Sequence, residues 1–226
     1  MQKIGLDKDI GTKQLVVVTT NNWTNVQGKM NVFEFIDNSW EPVMENISVT
    51  VGRNGLAWGK GLHSDRWNIG EMKREGDGKS PAGIFKLGDL FGYEDLTFTQ
   101  MNYVKVIKSI LCIDDKNSPH YNQIVDMTKI AKDWNSAEEM CRGDELYKYG
   151  IFVDYNTDPI VPGAGSCIFM HIRAANNEPT DGCTAMDKEN ILQLIHFLNK
   201  SMHPVLVQMP ENEYHQFKNA YNLPSI

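Results

Sequence analysis

The chain has 226 residues, of which 41% are hydrophobic and 23% charged, and its formal net charge at pH 7 is −7. This length suits one domain, or one domain with an insertion, and the composition is ordinary for a globular protein. The acidic balance argues against a nucleic-acid-binding protein, which needs a basic surface, and no stretch reaches the roughly 18 apolar residues of a membrane-spanning helix.

The N-terminal part of the chain predicts short strands separated by Asn- and Asp-containing turns. Residues 14–20 are β-branched and apolar, and residues 29–36 and 43–51 supply a second and a third strand. Such a meander favours an antiparallel sheet or a sandwich at this end of the chain.

Residues 52–83 are rich in Gly and Trp and predict a long loop that lies over the sheet, anchored by Trp58 and Trp67. Loops of this length in compact domains are often functional. His63 is therefore a candidate to line a substrate groove, with a structural or exposed role as the alternative.

Further strands are predicted at residues 84–87, 101–107 and 150–155. Between the last two, the character of residues 122–149 changes, and a capping-box form at 136–139 indicates a short helix. We interpret 122–149 as an α-rich insertion or flap that helps to shape a groove.

The C-terminal part predicts helix, strand and helix. Asp187 is the expected N-cap of the first helix, whose apolar residues recur at helical spacing from Ile191 to Leu198. Residues 204–209 form a strand that ends at a proline, and residues 211–221 predict a last helix.

The four cysteines, at positions 112, 141, 167 and 183, do not form a dense disulfide framework or a C-x-x-C pair. Cys112 and Cys141 are a possible pair in an oxidising compartment, which the sequence leaves open. Cys167 begins an apolar run predicted as a buried strand and is expected to belong to the core.

Residues 166–186 carry the groups best suited to chemistry. His171 ends the apolar run, and Cys183 follows in a turn-like T-D-G context. The imidazole can take the thiol proton, and a helix beginning near Asp187 would add partial positive charge beside the thiolate. The amides of Gly182 and Cys183 are the expected donors to an oxyanion. The alternative is structural, because a free Cys is usually a small buried hydrophobe.

Two segments carry a family resemblance. The T-D-G-C sequence at 180–183 follows a His on a strand, and K-R-E-G-D-G-K-S-P-A-G-I-F at 73–85 is similar to a K-x-G-D-G-x-[ST]-P-x-G-x-F pattern. Together they resemble the catalytic segments of the L,D-transpeptidase (YkuD-type) family over residues 14 to 210. The better-known members have His where this chain has Asp181, and Arg where it has Ala185.

The resemblance implies a mostly β fold with short helices, a β-sandwich or barrel that forms a single catalytic domain over 1–226. It implies acyl transfer on peptidoglycan stem peptides, with Cys183 as nucleophile and His171 as base, and it requires no cofactor. Ser80, in the turn before residues 84–87, is expected near the site. The candidate substrate-binding residues are Ser80, His63, Arg173 and Thr184.

Three alternatives remain at this stage. One is a cell-wall peptide hydrolase of the same fold, acting as an L,D-carboxypeptidase, endopeptidase or amidase. Another is a zinc enzyme using His63, His171 and Cys183, which lacks the closely spaced ligand pairs that zinc sites favour. The third is a wall-binding module without catalysis. No metal is therefore assigned.

The family acts outside the cytoplasmic membrane, which places this chain in the periplasm or cell envelope. Residues 1–13 are polar and charged and do not resemble a signal peptide, so the resemblance implies one that has been removed, with a cytoplasmic location as the alternative. An exposed thiol of low pKa would also be acylated by carbapenem-type β-lactams.

Overall fold

The computed structural model describes residue 6 and residues 10–226, which are mostly β with two α-helices. The first strands are β1 Gln14–Thr20, β2 Gln27–Ile36, β3 Ser39–Thr50, β4 Leu56–Trp58, β5 Ser80–Gly92, β6 Tyr103–Lys105 and β7 Ile110–Cys112. The remaining strands and the helices are β8 Ile124–Asp126, β9 Glu138–Glu139, β10 Tyr149–Val153, β11 Phe169–Ile172, β12 Thr184–Met186, α1 Lys188–Phe197, β13 Val205–Pro210 and α2 Glu211–Tyr221.

Ten strands form one sheet that closes on itself. Its order is β10-β11-β12-β3-β2-β1-β13-β5-β4, β10 also pairs with β5, and β6 adds to β5. The result is a barrel-like sheet, which confirms the mostly β fold expected from the sequence. Strand β1 pairs in parallel with β13 and antiparallel with β2, and all seven of its residues are buried. A strand covered on both faces explains its unbroken apolar run.

The strands predicted at both ends of the chain are confirmed, with boundaries shifted by a few residues. The predicted helix at 211–221 has the same bounds as α2, and it buries Tyr214, Phe217 and Tyr221. Helix α1 buries Ile191, Leu194 and Ile195. No helix within the described residues is long and apolar enough to cross a membrane.

The region from 52 to 83 is only partly a loop. Trp58 lies in β4, which pairs in parallel with the start of β5, and it is buried as expected of an anchor. Its ring stacks on Phe217 with centroids 5.7 Å apart, and Trp67 packs on the same ring at 4.8 Å. The two tryptophans therefore fasten this region to α2.

The predicted α-rich insertion at 122–149 is wrong. The described residues of this segment form β8, β9 and turns, and β8 and β9 pair with β7 in a small three-stranded sheet. Asp126 caps a turn by accepting hydrogen bonds from the backbone and hydroxyl of Thr128. Cys112 pairs across the ladder with Glu138, inside the expected capping box. Long-range strand pairing has overridden the local helix signal.

The suggested Cys112–Cys141 pair is also wrong. Cys112 is bonded to Cys167, with Cα atoms 6.0 Å apart, and Cys141 is free. Cys167 has a φ of +55°, so the chain turns there and β11 begins only at Phe169. Cys167 is thus a covalent link between the small sheet and the approach to β11 rather than a plain core residue.

We expect this disulfide to be found by peptide mapping without reductant, as a cross-linked pair of peptides containing Cys112 and Cys167. Because it closes a long loop, reduction should lower the free energy of unfolding by about 2 to 4 kcal/mol. The control is Cys141→Ala, which should leave both the cross-linked pair and the stability unchanged. A Cys112–Cys141 peptide would contradict the pairing.

Candidate active site

The pairing of β11 with β12 brings Cys183 and His171 together. The two strands are parallel and place His171 opposite Ala185. Side chains alternate along a strand, so Cys183, which directly precedes β12, faces the same side as Ala185 and His171. Cys183 and His171 line one cavity of about 330 Å³. The backbone N–H of Phe169 donates to Cys183 Sγ at 3.3 Å.

A backbone carbonyl orients the imidazole. His171 Nδ1 lies 2.7 Å from the carbonyl oxygen of Ile172. Because a carbonyl only accepts hydrogen bonds, Nδ1 carries the proton, and Nε2 keeps its lone pair. Asp181, close to Cys183 in sequence, is ion-paired with Arg53 at the surface and does not take this role. The imidazole therefore has the tautomer that a base acting through Nε2 requires.

Burial favours the neutral forms of Cys183 and His171 in the free protein. It raises the pKa of the Cys183 thiol far above its ordinary value, and the nearby charge of Glu138 adds to the effect. It lowers the pKa of His171 to about 4. Helix α1 begins at Lys188, beyond β12, and a helix dipole falls off within the first turn. The exposed, low-pKa thiol beside a helix N-terminus, expected from the sequence, is therefore not what the structure shows.

Two hydroxyl groups fix the backbone at Cys183. Ser80 Oγ and Thr180 Oγ1 donate to the carbonyl oxygen of Cys183, at 2.9 Å and 2.6 Å. Ser80 Oγ also accepts from the N–H of Gly52. The N–H of Gly182, one of the two expected oxyanion donors, donates to Thr180 Oγ1 at 3.2 Å. Gly182 has a φ of +147°, a conformation that favours glycine.

The four expected substrate-binding residues do not line the cavity. Ser80 is fully buried behind the nucleophile. Thr184 is also buried, and its hydroxyl donates to Gln208. Arg173 donates to Ser48 and forms an ion pair with Asp187. In the structure, polar partners within the fold hold these three side chains away from the cavity lining.

His63, the fourth, is a structural residue. It is buried against Trp58 and Phe217, its Nδ1 accepts from the N–H of Ile84, and its Nε2 is paired with Asn68. Because it is separate from the cavity, it cannot complete the zinc site considered above. Within the described part of the chain, no group of three His, Cys, Asp or Glu side chains is placed to hold a metal ion.

Charged residues and a tyrosine that sequence reasoning missed also line the cavity. From the 73–85 segment come Lys73 and Glu75, and from the small sheet and the segment after it come Asp114, Glu138, Arg142 and Tyr147. The sequence signals were the family pattern at 73–85 and the interpretation of 122–149 as a flap that shapes a groove. Which of its residues enter the cavity depends on pairing between distant strands.

Glu138 and Tyr147 lie close to Cys183 and His171. The Tyr147 hydroxyl donates to Glu138, and its ring packs edge-on against His171 with centroids 5.0 Å apart. Burial, together with the charges of Asp114 and Glu75, raises the pKa of Glu138 to about 7. The cavity therefore contains a thiol, a neutral imidazole and a glutamic acid whose pKa lies close to neutral pH.

A family comparison decides the membership of the chain. The sequence profile of the YkuD L,D-transpeptidase catalytic domain matches residues 14–207. The chain belongs to this family. The match runs from β1 into β13 and includes Cys183, His171 and both motifs identified above. No curated protein matches the chain significantly.

Two solved structures are similar to the chain. They are the helical cell shape determining protein Pgp2 from Campylobacter jejuni and its K307A mutant, at 14% and 16% identity and a TM-score of 0.42 each. Each comparison covers 88% of this chain and 48% of the other. The L,D-transpeptidase domain described here thus spans about half the length of those proteins.

We expect Ser80→Ala to impair the enzyme although Ser80 does not reach the cavity. The change removes a hydrogen bond to the Cys183 carbonyl and leaves the buried Gly52 N–H without its acceptor, which should cost about 1 to 3 kcal/mol of stability. Displacement of the nucleophile should also lower kcat about tenfold or more. Urea unfolding and kinetics check both effects, with the exposed Ser201→Ala as control. Unchanged kinetics would show that Ser80 serves stability alone.

The raised thiol pKa predicts the pH dependence of alkylation. In a Cys141→Ala background, where Cys183 is the only free thiol, the rate of iodoacetamide modification should keep rising with pH from 7 to 10, because the thiolate fraction grows throughout this range. Intact mass measured over time gives the rate. A plateau already reached below pH 7 would instead mean a thiolate–imidazolium pair at rest.

Proposed function

We propose that the chain is a cysteine-dependent enzyme that cleaves the bond between the third and fourth residues of a peptidoglycan stem peptide. The observation that carries the proposal is the placement of Cys183 and His171 on one face of two adjacent strands, open to one cavity. Membership of the L,D-transpeptidase family supplies the substrate class.

The reaction begins with attack of Cys183 Sγ on the stem carbonyl. His171 Nε2 accepts the thiol proton as the sulfur–carbon bond forms, so that no free thiolate has to persist in the buried site. The N–H of Cys183 is the expected oxyanion donor, since that of Gly182 is already bonded to Thr180. The carbon–nitrogen bond then breaks, and His171 returns the proton to the leaving amine.

The acyl group left on Cys183 has two fates. An amine from a second stem takes it in a cross-linking or exchange reaction, which makes the enzyme an L,D-transpeptidase. Water takes it in hydrolysis, which makes the enzyme an L,D-carboxypeptidase. Both fates use His171 as base toward the incoming nucleophile, so the geometry of the pair serves either reaction.

We place this activity in the cell envelope, where its substrate is found. The Cys112–Cys167 disulfide supports this location, because structural disulfides persist in oxidising compartments. We also propose that carbapenem-type β-lactams acylate Cys183 in place of a stem peptide, although the thiol is buried and neutral at rest.

The first test is intact-mass and product analysis with purified tetrapeptide stem muropeptides. Wild type should release D-alanine and Cys183→Ala should release none, because without the thiol no acyl-enzyme forms. Cross-linked dimers among the products would indicate transpeptidation, and tripeptides alone would indicate carboxypeptidase activity.

The matched control is Cys141→Ala, which removes the other free thiol and should retain activity. Release of D-alanine by Cys183→Ala at the wild-type rate would reject Cys183 as the nucleophile. Failure of the wild-type protein to change the muropeptides, while it remains folded, would reject the substrate. Incubation with a carbapenem under the same conditions should give an adduct with the control variant and none with Cys183→Ala.

A further inference from the structure

Two cations line the cavity, and only one of them is available to a ligand. Lys73 Nζ donates to Asp77 and to the carbonyl of Arg74, and its side chain is 3% exposed. Arg142 binds Asp144 through Nε and Nη2, and its side chain is 38% exposed. Within the described residues its Nη1 donates no hydrogen bond. Arg142 therefore lines the cavity with a partly exposed guanidinium that has donors left for a ligand.

Arg142 lies on the His171 side of the cavity. Its guanidinium carbon is 5.1 Å from the centre of the Tyr147 ring, and that ring packs against His171. Its positive charge adds to the effect of burial in lowering the pKa of His171. The cation and the imidazole thus contact the same tyrosine ring and line the same cavity.

The next step rests on the proposed function. His171 must lie about 3 Å from the nitrogen of the leaving group in order to protonate it. If the leaving group is a single terminal amino acid, its carboxylate is only two bonds from that nitrogen. If the cut lies inside a longer peptide, a neutral amide occupies this place instead. A cation beside His171 can therefore distinguish the two kinds of substrate.

We propose that Arg142 binds the carboxylate of the leaving amino acid and so restricts the enzyme to stem peptides that end at the residue after the cleaved bond. A guanidinium and a C-terminal carboxylate form charge-assisted hydrogen bonds, which are stronger than hydrogen bonds between neutral groups. The enzyme then removes only the C-terminal residue of a stem peptide, whether an amine or water takes the acyl group.

The acidic residues that line the cavity make this cation necessary. Glu75, Asp114 and Glu138 line the same cavity, and Asp114 Oδ1 is buried without a hydrogen-bond partner among the described residues. A substrate carboxylate would be repelled here if Arg142 did not offset the negative charge. Ala185, on the same face as His171, supplies no charge, so the cation comes from a different segment of the chain.

The test compares a tetrapeptide stem with its C-terminal amide, which differ only in the charge of the leaving group. Release of D-alanine or D-alaninamide gives kcat/KM for each. Wild type should prefer the acid by about tenfold to a hundredfold. Arg142→Ala and Arg142→Gln should both bring the ratio close to one by slowing turnover of the acid, and Arg142→Lys should keep part of the preference.

The control is Lys105→Ala, which removes one positive charge from an exposed ion pair outside the cavity and should preserve the wild-type ratio. Thermal unfolding of each variant separates misfolding from lost recognition, and Arg142→Gln provides a test if Arg142→Ala does not fold.

Several outcomes would overturn the inference. If wild type cleaves acid and amide equally well, the leaving-group charge is not recognised. If Arg142→Gln keeps the wild-type preference for the acid over the amide, another group recognises the leaving-group charge. If Arg142→Gln slows both peptides equally, Arg142 only supports Tyr147 and His171. Cleavage of neither peptide by folded wild type rejects the proposed function itself, and this inference falls with it.

Discussion

The parallel pairing of β11 with β12 is the constraint on which the site depends. A shift of one residue in this register would turn either Cys183 or His171 to the opposite face of the sheet. The register is held from both sides, because β12 also pairs with β3 and β11 with β10, inside a sheet that closes on itself. Closure leaves neither strand at a free edge where it could slip.

The turn that carries Cys183 is held by two side-chain hydroxyl groups. Ser80, at the start of β5, and Thr180, in the same loop as Cys183, both donate to the Cys183 carbonyl. Ser80, which sequence analysis assigns to substrate binding, therefore helps to preorganise the backbone at Cys183.

Burial gives the site its electrostatic character. The same desolvation raises the pKa of the thiol and lowers that of the imidazole, so the proton stays on sulfur until a substrate arrives. Charges across the cavity come from the small three-stranded sheet and the segment that follows it, and the Cys112–Cys167 disulfide ties this sheet to the approach to β11. Strands β11 and β12 thus bring Cys183 and His171 to the cavity, and other segments of the chain supply its charged residues.

The sequence by itself determined the strands at both ends of the chain, the two helices, the family and the two residues most suited to the chemistry. These are local features: alternation or helical spacing of apolar residues, turn residues, and two short motifs. Only the tertiary structure decided the partner of Cys112, the β form of 122–149, and the roles of Ser80, His63, Arg173 and Thr184. It also brought Arg142 and Glu138 into the cavity. Each of these depends on which distant segments pair or pack together, and burial then sets the charge states, so no local pattern contains the information.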